Sequence, residues 1–330
     1  MKQLVLVLVL LPLVWAAEAP ARPAANSGAL RLESSLVAMG SAYAVAVYGD
    51  DRTRMEEAVD AAFGEVRRLD EMLSNYKPQS ELSEINRDAA ERPVAVTAEM
   101  FQLLSACMEY SRESEGAFDI TVGPLMKVWG FYKGTGRLPH RAEILGALDR
   151  VGYKNILLDP ADQTVKFARP GMELDPGGIG KGYAVDRMVE ILKQYGIRRA
   201  LVSASGSSIY ALGAPPGEQG WKVKIRDPRD ERKSVAEVYL KDESMSTSGS
   251  YEKFFRAEGR IYSHIMDPRT GWPAQGVLSV SAITPRTIDS EAWTKPLFVN
   301  GAAWAARHKP ADLRAFFCED KPEQSCAWLP

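Results

Sequence analysis

The sequence predicts an α+β fold, with helices packed on mainly antiparallel sheets. Strand-like and helix-like runs are mixed along the chain without a regular strand–helix–strand alternation. Apolar residues recur at helical spacing in a few long stretches, and short alternating runs bounded by turn residues fill most of the second half. A glycine-rich turn at 175–182 follows no strongly apolar parallel strand, which argues against a doubly wound sheet.

The elements follow in chain order. The leader has one lysine, an apolar run from Leu4 to Trp15 and small residues at Ala16 and Ala17. That is a secretory signal pattern, and the run is shorter than the roughly 20 residues a membrane span needs. The expected organisation is therefore a signal peptide at 1–17, a flexible linker at 18–29 and one folded domain at 30–330, soluble and periplasmic. No cysteine lies near the cleavage region to carry a lipid. The run "SSLVAMGSAYAVAVYGDD" reads as a strand. Val59, Phe63, Val66, Leu69 and Met72 then share one face of a helix over Met55–Leu73, and "SNYKPQSELSEIN" reads as a polar loop exposing Tyr76. A helix over about Ala98–Ser114 leads into the irregular segment "EGAFDITVGPLMKVWGF". A short helix, "RAEILGALDRVG", and a hairpin, "NILLDPADQTVKFA", come next.

"ELDPGGIGKGYAVD" opens a helix whose apolar face carries Ala184, Met188, Ile191, Leu192 and Tyr195 and which ends at Gly196. Glycine lets a ligand approach backbone N–H groups. A helix N-terminus with a lysine beside it suits a pyrophosphate. The loop matches neither phosphate fingerprint. Asp175 stands at the first P-loop glycine position and Gly182 follows Lys181, while Gly178 and Gly180 are followed by Tyr183 where GxGxxG needs glycine. A glycine turn that merely caps a helix is the plain alternative. Further strands are read in "RRALVSASGSSIYALG", "GWKVKIRDP", "SVAEVYLKDESMSTSGSYEKFF" and "LSVSAITP", with a tight loop, "GRIYSHIMDPRTGWPAQ", and one or two final helices in "DSEAWTKPLFVNGAAWAARH".

Composition narrows the function. The 330 residues are 45% hydrophobic and 25% charged, and a net charge of −2 offers no basic footprint for nucleic acid. Of three cysteines, Cys107 sits in an apolar helical pattern, while Cys318 and Cys326 bracket a polar stretch short enough for a disulfide to close. No CxxC pair and only scattered histidines argue against a cysteine or histidine metal centre.

Five segments, "LDPGGIGKGYAVD", "STSGSYEKFF", "YSHIMDPRTGWP", "LDEMLSNYKPQSELSEIN" and "GAFDITVGPLMKVWGF", together resemble the ApbE family, the FAD:protein FMN transferases. They span almost everything after the leader. The resemblance implies a two-lobed, T-fold-like α+β domain with FAD held between the lobes. It also implies transfer of FMN from FAD to a threonine or serine of an acceptor flavoprotein subunit, with AMP released and magnesium on the pyrophosphate. Acceptors in the family include subunits of membrane redox complexes. A family member that binds FAD without transferring it and a metal-dependent FAD pyrophosphatase are the other readings. Carried over by position, the flavin contacts fall on Met39, Tyr76, Ala117, Phe118, Asp119, Asp175, Lys181 and Ile265. His264 and Lys181 fall at the reacting end, and Gly178, Glu291 and Thr294 at the metal. Tyr76 suits ring stacking. Lys181 opposes its helix dipole unless an anion binds there. Asp119 is a flavin contact or a turn cap. His264 is a general base or an ordering residue.

Two places depart from the family pattern. Where the family carries Asp-Ala-x-x-Thr-Ala, this chain reads "EAWTKP", so that Glu291 replaces the aspartate, Lys295 the threonine and Pro296 an alanine. Ser207 and Ser208 stand where the family tends to have paired glycines and an acidic or amide residue. The oxygens of Gly178, Glu291 and Thr294 predict a retained but weakened metal site with Lys295 pointing away; the alternative puts Lys295 in the cation position. Pro296 is expected to bend or delay its helix.

Overall fold

The structure, a computed structural model, describes residues 29–321 and 325–330. The expected leader and nearly all of the expected linker lie outside these residues. Eight strands form one sheet whose spatial order follows the chain: Leu30–Ala38, Ser41–Gly49, Ala200–Ala204, Ser208–Leu212, Glu243–Gly249, Val277–Thr284, Arg314–Glu319 and Ser325–Trp328. Every neighbouring pair is antiparallel.

Alternation along these strands separates two cores. Tyr43, Val45 and Val47 point to one face, where the helices Arg52–Leu73, Gly180–Gln194 and Thr287–His308 pack side by side. Ala46, Tyr48, Ile209 and Ala211 point to the other, which the hairpin of Trp221–Arg226 and Ser234–Leu240 covers with Trp221, Val223 and Ile225. A third, smaller core forms around Trp129, whose indole N–H donates to the Gly271 carbonyl at 2.9 Å. Several predicted elements stand as read. The first long helix buries Val59, Phe63, Val66, Leu69 and Met72, and Asp51 caps its start by accepting from the Arg54 N–H at 3.1 Å. Gly196, at φ 78°, closes the glycine-loop helix: its own N–H reaches the Lys193 carbonyl and that of Ile197 reaches Leu192, a Schellman arrangement.

Four features differ from the expectation. The first predicted strand is a hairpin, Leu30–Ala38 against Ser41–Gly49, turned by Met39 and Gly40 at φ 50° and 63°. A left-handed pair of this kind matches strand twist, and a methionine there is strained. Part of the "polar loop" is a helix, Glu81–Asp88, started by Ser80, whose hydroxyl accepts from the Ser83 N–H at 3.0 Å. The C-terminal residues add two strands, across which Cys318 and Cys326 face one another and are disulfide-bonded. Helical angles continue through Pro296; the break falls at Gly301, at φ 77°.

Candidate active site

Every residue expected at the flavin, the reacting end or the metal lines one cleft of about 500 Å³. The hairpin turn brings Met39; the loop after the first helix brings Tyr76; the irregular segment brings Ala117, Phe118 and Asp119. The glycine loop supplies Asp175, Gly178 and Lys181, the loop after residue 263 His264 and Ile265, and the last long helix Glu291, Thr294 and Lys295. A second hollow of about 510 Å³, around Tyr153 and Arg269, shares only Asp119 and Pro268 with this cleft.

The mouth is aromatic. Tyr76 is 74% exposed and meets Tyr132 edge-on, with ring centroids 6.1 Å apart. A large exposed aromatic beside a cleft leaves a ring face open for stacking. Tyr132 is a cleft residue that the sequence reading missed; its only signal is an aromatic pair flanked by glycines in "GFYKG". Burial and the neighbouring Asp175 carboxylate both push its phenol above the ordinary range. The same two causes, in the same order, raise Tyr76. Replacing Tyr76 with alanine should weaken FAD binding by about 1–2 kcal/mol. Titration calorimetry checks this, and an unchanged affinity removes Tyr76 from the site.

Phe118 and Ile265 are buried wall residues, 4% and 5% exposed. Asp119 resolves as a turn anchor. One carboxylate oxygen accepts from the Thr121 N–H at 2.8 Å and the Thr121 hydroxyl at 2.6 Å; the other accepts from the Tyr153 N–H at 2.7 Å. Burial still raises its pKa, so these bonds only partly offset desolvation. Asp175 caps the tight turn Pro176–Gly178 by accepting from the Gly177 N–H at 2.6 Å.

Below the mouth, the glycine loop meets the last helix. Gly182 is there for close packing rather than ligand approach, because a Cβ would stand 2.5 Å from the Thr287 carbonyl oxygen and 2.9 Å from the Glu291 Cβ. This contact brings the buried carboxylate of Glu291 to the start of the glycine-loop helix, which has no capping side chain of its own. Glu291 Oε2 accepts from the Gly182 N–H, and Oε1 lies 3.3 Å from Lys181 Nζ. Glu291 therefore caps that helix from across the site and supplies the anion that Lys181 was expected to need from a ligand.

Lys295 does not point away. Its ammonium donates to the Glu291 carbonyl at 3.0 Å and to Thr294 Oγ1 at 3.3 Å, and lies 3.9 Å from Glu291 Oε1. Burial pulls its pKa down to about 8, against the favourable pull of Glu291 and with the repulsion of Lys181. The Thr294 hydroxyl donates to the Glu291 carbonyl at 2.7 Å and accepts from Ser248 at 2.8 Å as well as from Lys295. One donor and two acceptor positions are thereby used, which is a hydroxyl's full set. Glu291 Oε1 receives no aligned donor. It is a single carboxylate oxygen between two ammonium groups, a poor start for a magnesium shell that demands six oxygens in near-ideal geometry. No group of three or more His, Cys, Asp or Glu side chains suited to a metal occurs among the described residues. The side-chain oxygens of Glu291 and Thr294, expected to hold a cation, thus face an ammonium, and this pair does not fit magnesium.

His264 lines the same cleft. Its backbone N–H and Nδ1 both approach the Lys253 carbonyl, at 3.0 and 3.2 Å. A carbonyl only accepts, so the ring proton sits on Nδ1 and Nε2 is the bare, basic nitrogen. Burial, reinforced by the lysines at 253, 181 and 295, lowers the imidazole pKa to about 4, so the ring is neutral at physiological pH.

Among known proteins, the ApbE family matches residues 39–317. The chain belongs to the ApbE family. It is 32% identical over 289 residues to a FAD:protein FMN transferase of Klebsiella pneumoniae, a stretch covering 86% of this chain and 87% of that one. It is 34% identical over 259 residues to the Treponema pallidum FAD:protein FMN transferase, covering 74% and 71% of the two chains. Among solved structures, the Thermotoga maritima ApbE protein superposes with a TM-score of 0.82 at 30% identity, covering 90% of this chain and 96% of that one. The apo flavinyl transferase ApbE of Pseudomonas stutzeri gives 0.81 at 28% identity, over 91% and 95%. The antiparallel α+β architecture is that of the ApbE fold.

Proposed function

We propose that this protein is a FAD:protein FMN transferase whose reaction takes place in the 500 Å³ cleft. The observation that carries this is the placing, in one cleft, of a histidine whose Nδ1 is held by a carbonyl with Lys181 at the start of the glycine-loop helix. The isoalloxazine lies by Tyr76 and the pyrophosphate by Lys181. An acceptor threonine or serine oxygen attacks the FMN phosphorus, and a new P–O bond forms as the bond to the bridging oxygen breaks. AMP leaves with that bridging oxygen. The hydroxyl proton passes to His264 Nε2 and from there to AMP or solvent. Lys181 balances charge on the pyrophosphate as it builds on the leaving oxygen. Magnesium on Gly178, Glu291 and Thr294 is left out of this reading, because Thr294 has no free lone pair and Glu291 is committed to Gly182 and two lysines.

The acceptor is a flavoprotein subunit outside the cytoplasm, in keeping with the leader pattern. Among the described residues no helix is long and apolar enough to cross a membrane. The test is incubation with FAD and an acceptor domain carrying a threonine site, followed by in-gel flavin fluorescence and AMP measurement. A covalently fluorescent acceptor with matching AMP is expected. AMP with only free FMN would mean a pyrophosphatase, and neither product would mean a FAD-binding protein.

A further inference from the structure

The site holds a second ammonium that the transfer scheme does not use. Lys295 Nζ sits among the Glu291 carbonyl at 3.0 Å, Thr294 Oγ1 at 3.3 Å and Glu291 Oε1 at 3.9 Å, oxygens that the resemblance assigns in part to a metal. Lys181 Nζ lies 3.3 Å from the same Oε1. One carboxylate is thus shared by two ammonium groups, leaving an excess of one positive charge facing the cleft. A magnesium ion held by Glu291 and Thr294 would share both with the Lys295 ammonium, and like charges repel strongly in a site of low dielectric.

We infer that Lys295 takes the place of the divalent cation, so that this protein binds the pyrophosphate of FAD through the Lys181–Lys295 pair without metal. The inference rests on the cleft being the FAD site. An ammonium is a compact point charge with three rotatable donors, suited to contacting phosphate oxygens while still held by Thr294 and the Glu291 carbonyl. Glu291 has a matching part: held by the Gly182 N–H, its carboxylate lies 3.3 Å from Lys181 Nζ and 3.9 Å from Lys295 Nζ and so sits between the two ammonium groups.

The experiment measures FAD and riboflavin affinity by quenching of flavin fluorescence, in EDTA and again in excess magnesium. Wild-type FAD affinity should be the same in both media within about threefold, whereas Lys295→Met should weaken FAD binding about 10-fold or more in EDTA. Riboflavin, which has no phosphate, should bind wild type and variant alike. Lys295→Arg should retain metal-free binding, and thermal unfolding of each variant verifies its fold. Wild-type FAD binding that disappears in EDTA and returns with magnesium overturns the inference while leaving the FAD site intact. Equal FAD affinity in wild type and Lys295→Met overturns it as well. Failure of wild type to bind FAD in either medium removes the reading of the cleft itself, and this inference with it.

Discussion

Replacing His264 with alanine is expected to lower the transfer rate by about 10²–10⁴-fold, the range for loss of a positioned general base, while FAD affinity changes little. The Lys253 carbonyl fixes Nδ1–H, so Nε2 alone is left to take the acceptor's proton. Since the neutral ring is the active form, activity is present above its pKa and lost as pH falls through it. Burial places that point at about 4 in the free protein, so the acid limb of kcat/KM should lie well below the usual histidine range. With FAD bound, the pyrophosphate's negative charge favours the imidazolium, and the limb of kcat should move to higher pH. If His264 only orders its loop, the variant will lose stability and FAD affinity together, and the pH profile of the residual activity will be unchanged.

Replacing Glu291 with alanine should destabilise the fold by about 3–5 kcal/mol, the cost of removing one partner from a buried charge cluster. The carboxylate is 1% exposed, caps the glycine-loop helix through Gly182 and neutralises Lys181 and Lys295. Glu291→Gln keeps an acceptor for the Gly182 N–H and loses the charge, so its loss should be smaller. Urea unfolding with the m-value compared between variants measures both. A loss below about 1 kcal/mol for the alanine variant would show that the trans cap carries no weight. FAD binding gives an independent reading. Removing a metal ligand should abolish it, whereas removing the counterion of two lysines should leave it in place in whatever fraction remains folded.

The resemblance made the cleft's membership readable before the structure, because Tyr76, Asp175, Lys181 and His264 each lie in a local motif whose residues are close in sequence. What these residues do to one another was not readable. Glu291 reaches a backbone N–H 109 residues away, and the proton on His264 is decided by the carbonyl of Lys253, a main-chain atom with no sequence signature. The sequence leaves Lys295 either pointing away from a retained magnesium or standing in the cation position; once Glu291 is drawn to Gly182, the remaining oxygens favour the ammonium. That Asp119 anchors a turn depends on the Tyr153 N–H, on a separate loop. In the fold, the periodicity of the long helices was enough to find them, but the Met39–Gly40 turn was hidden inside an apolar run, since methionine is not a turn residue. Pro296 lies in a helix held by buried neighbours such as Leu297 and Phe298, and tertiary packing there overrides the local penalty.

The most direct measurement is a crystal structure of the protein with FAD bound in the presence of EDTA. The account predicts the isoalloxazine against Tyr76, pyrophosphate oxygens about 3 Å from Lys181 and Lys295 Nζ, and the FMN phosphorus on the side facing His264 Nε2. FAD bound with its pyrophosphate outside the cleft, or with its phosphates turned away from His264 and both lysines, would contradict it.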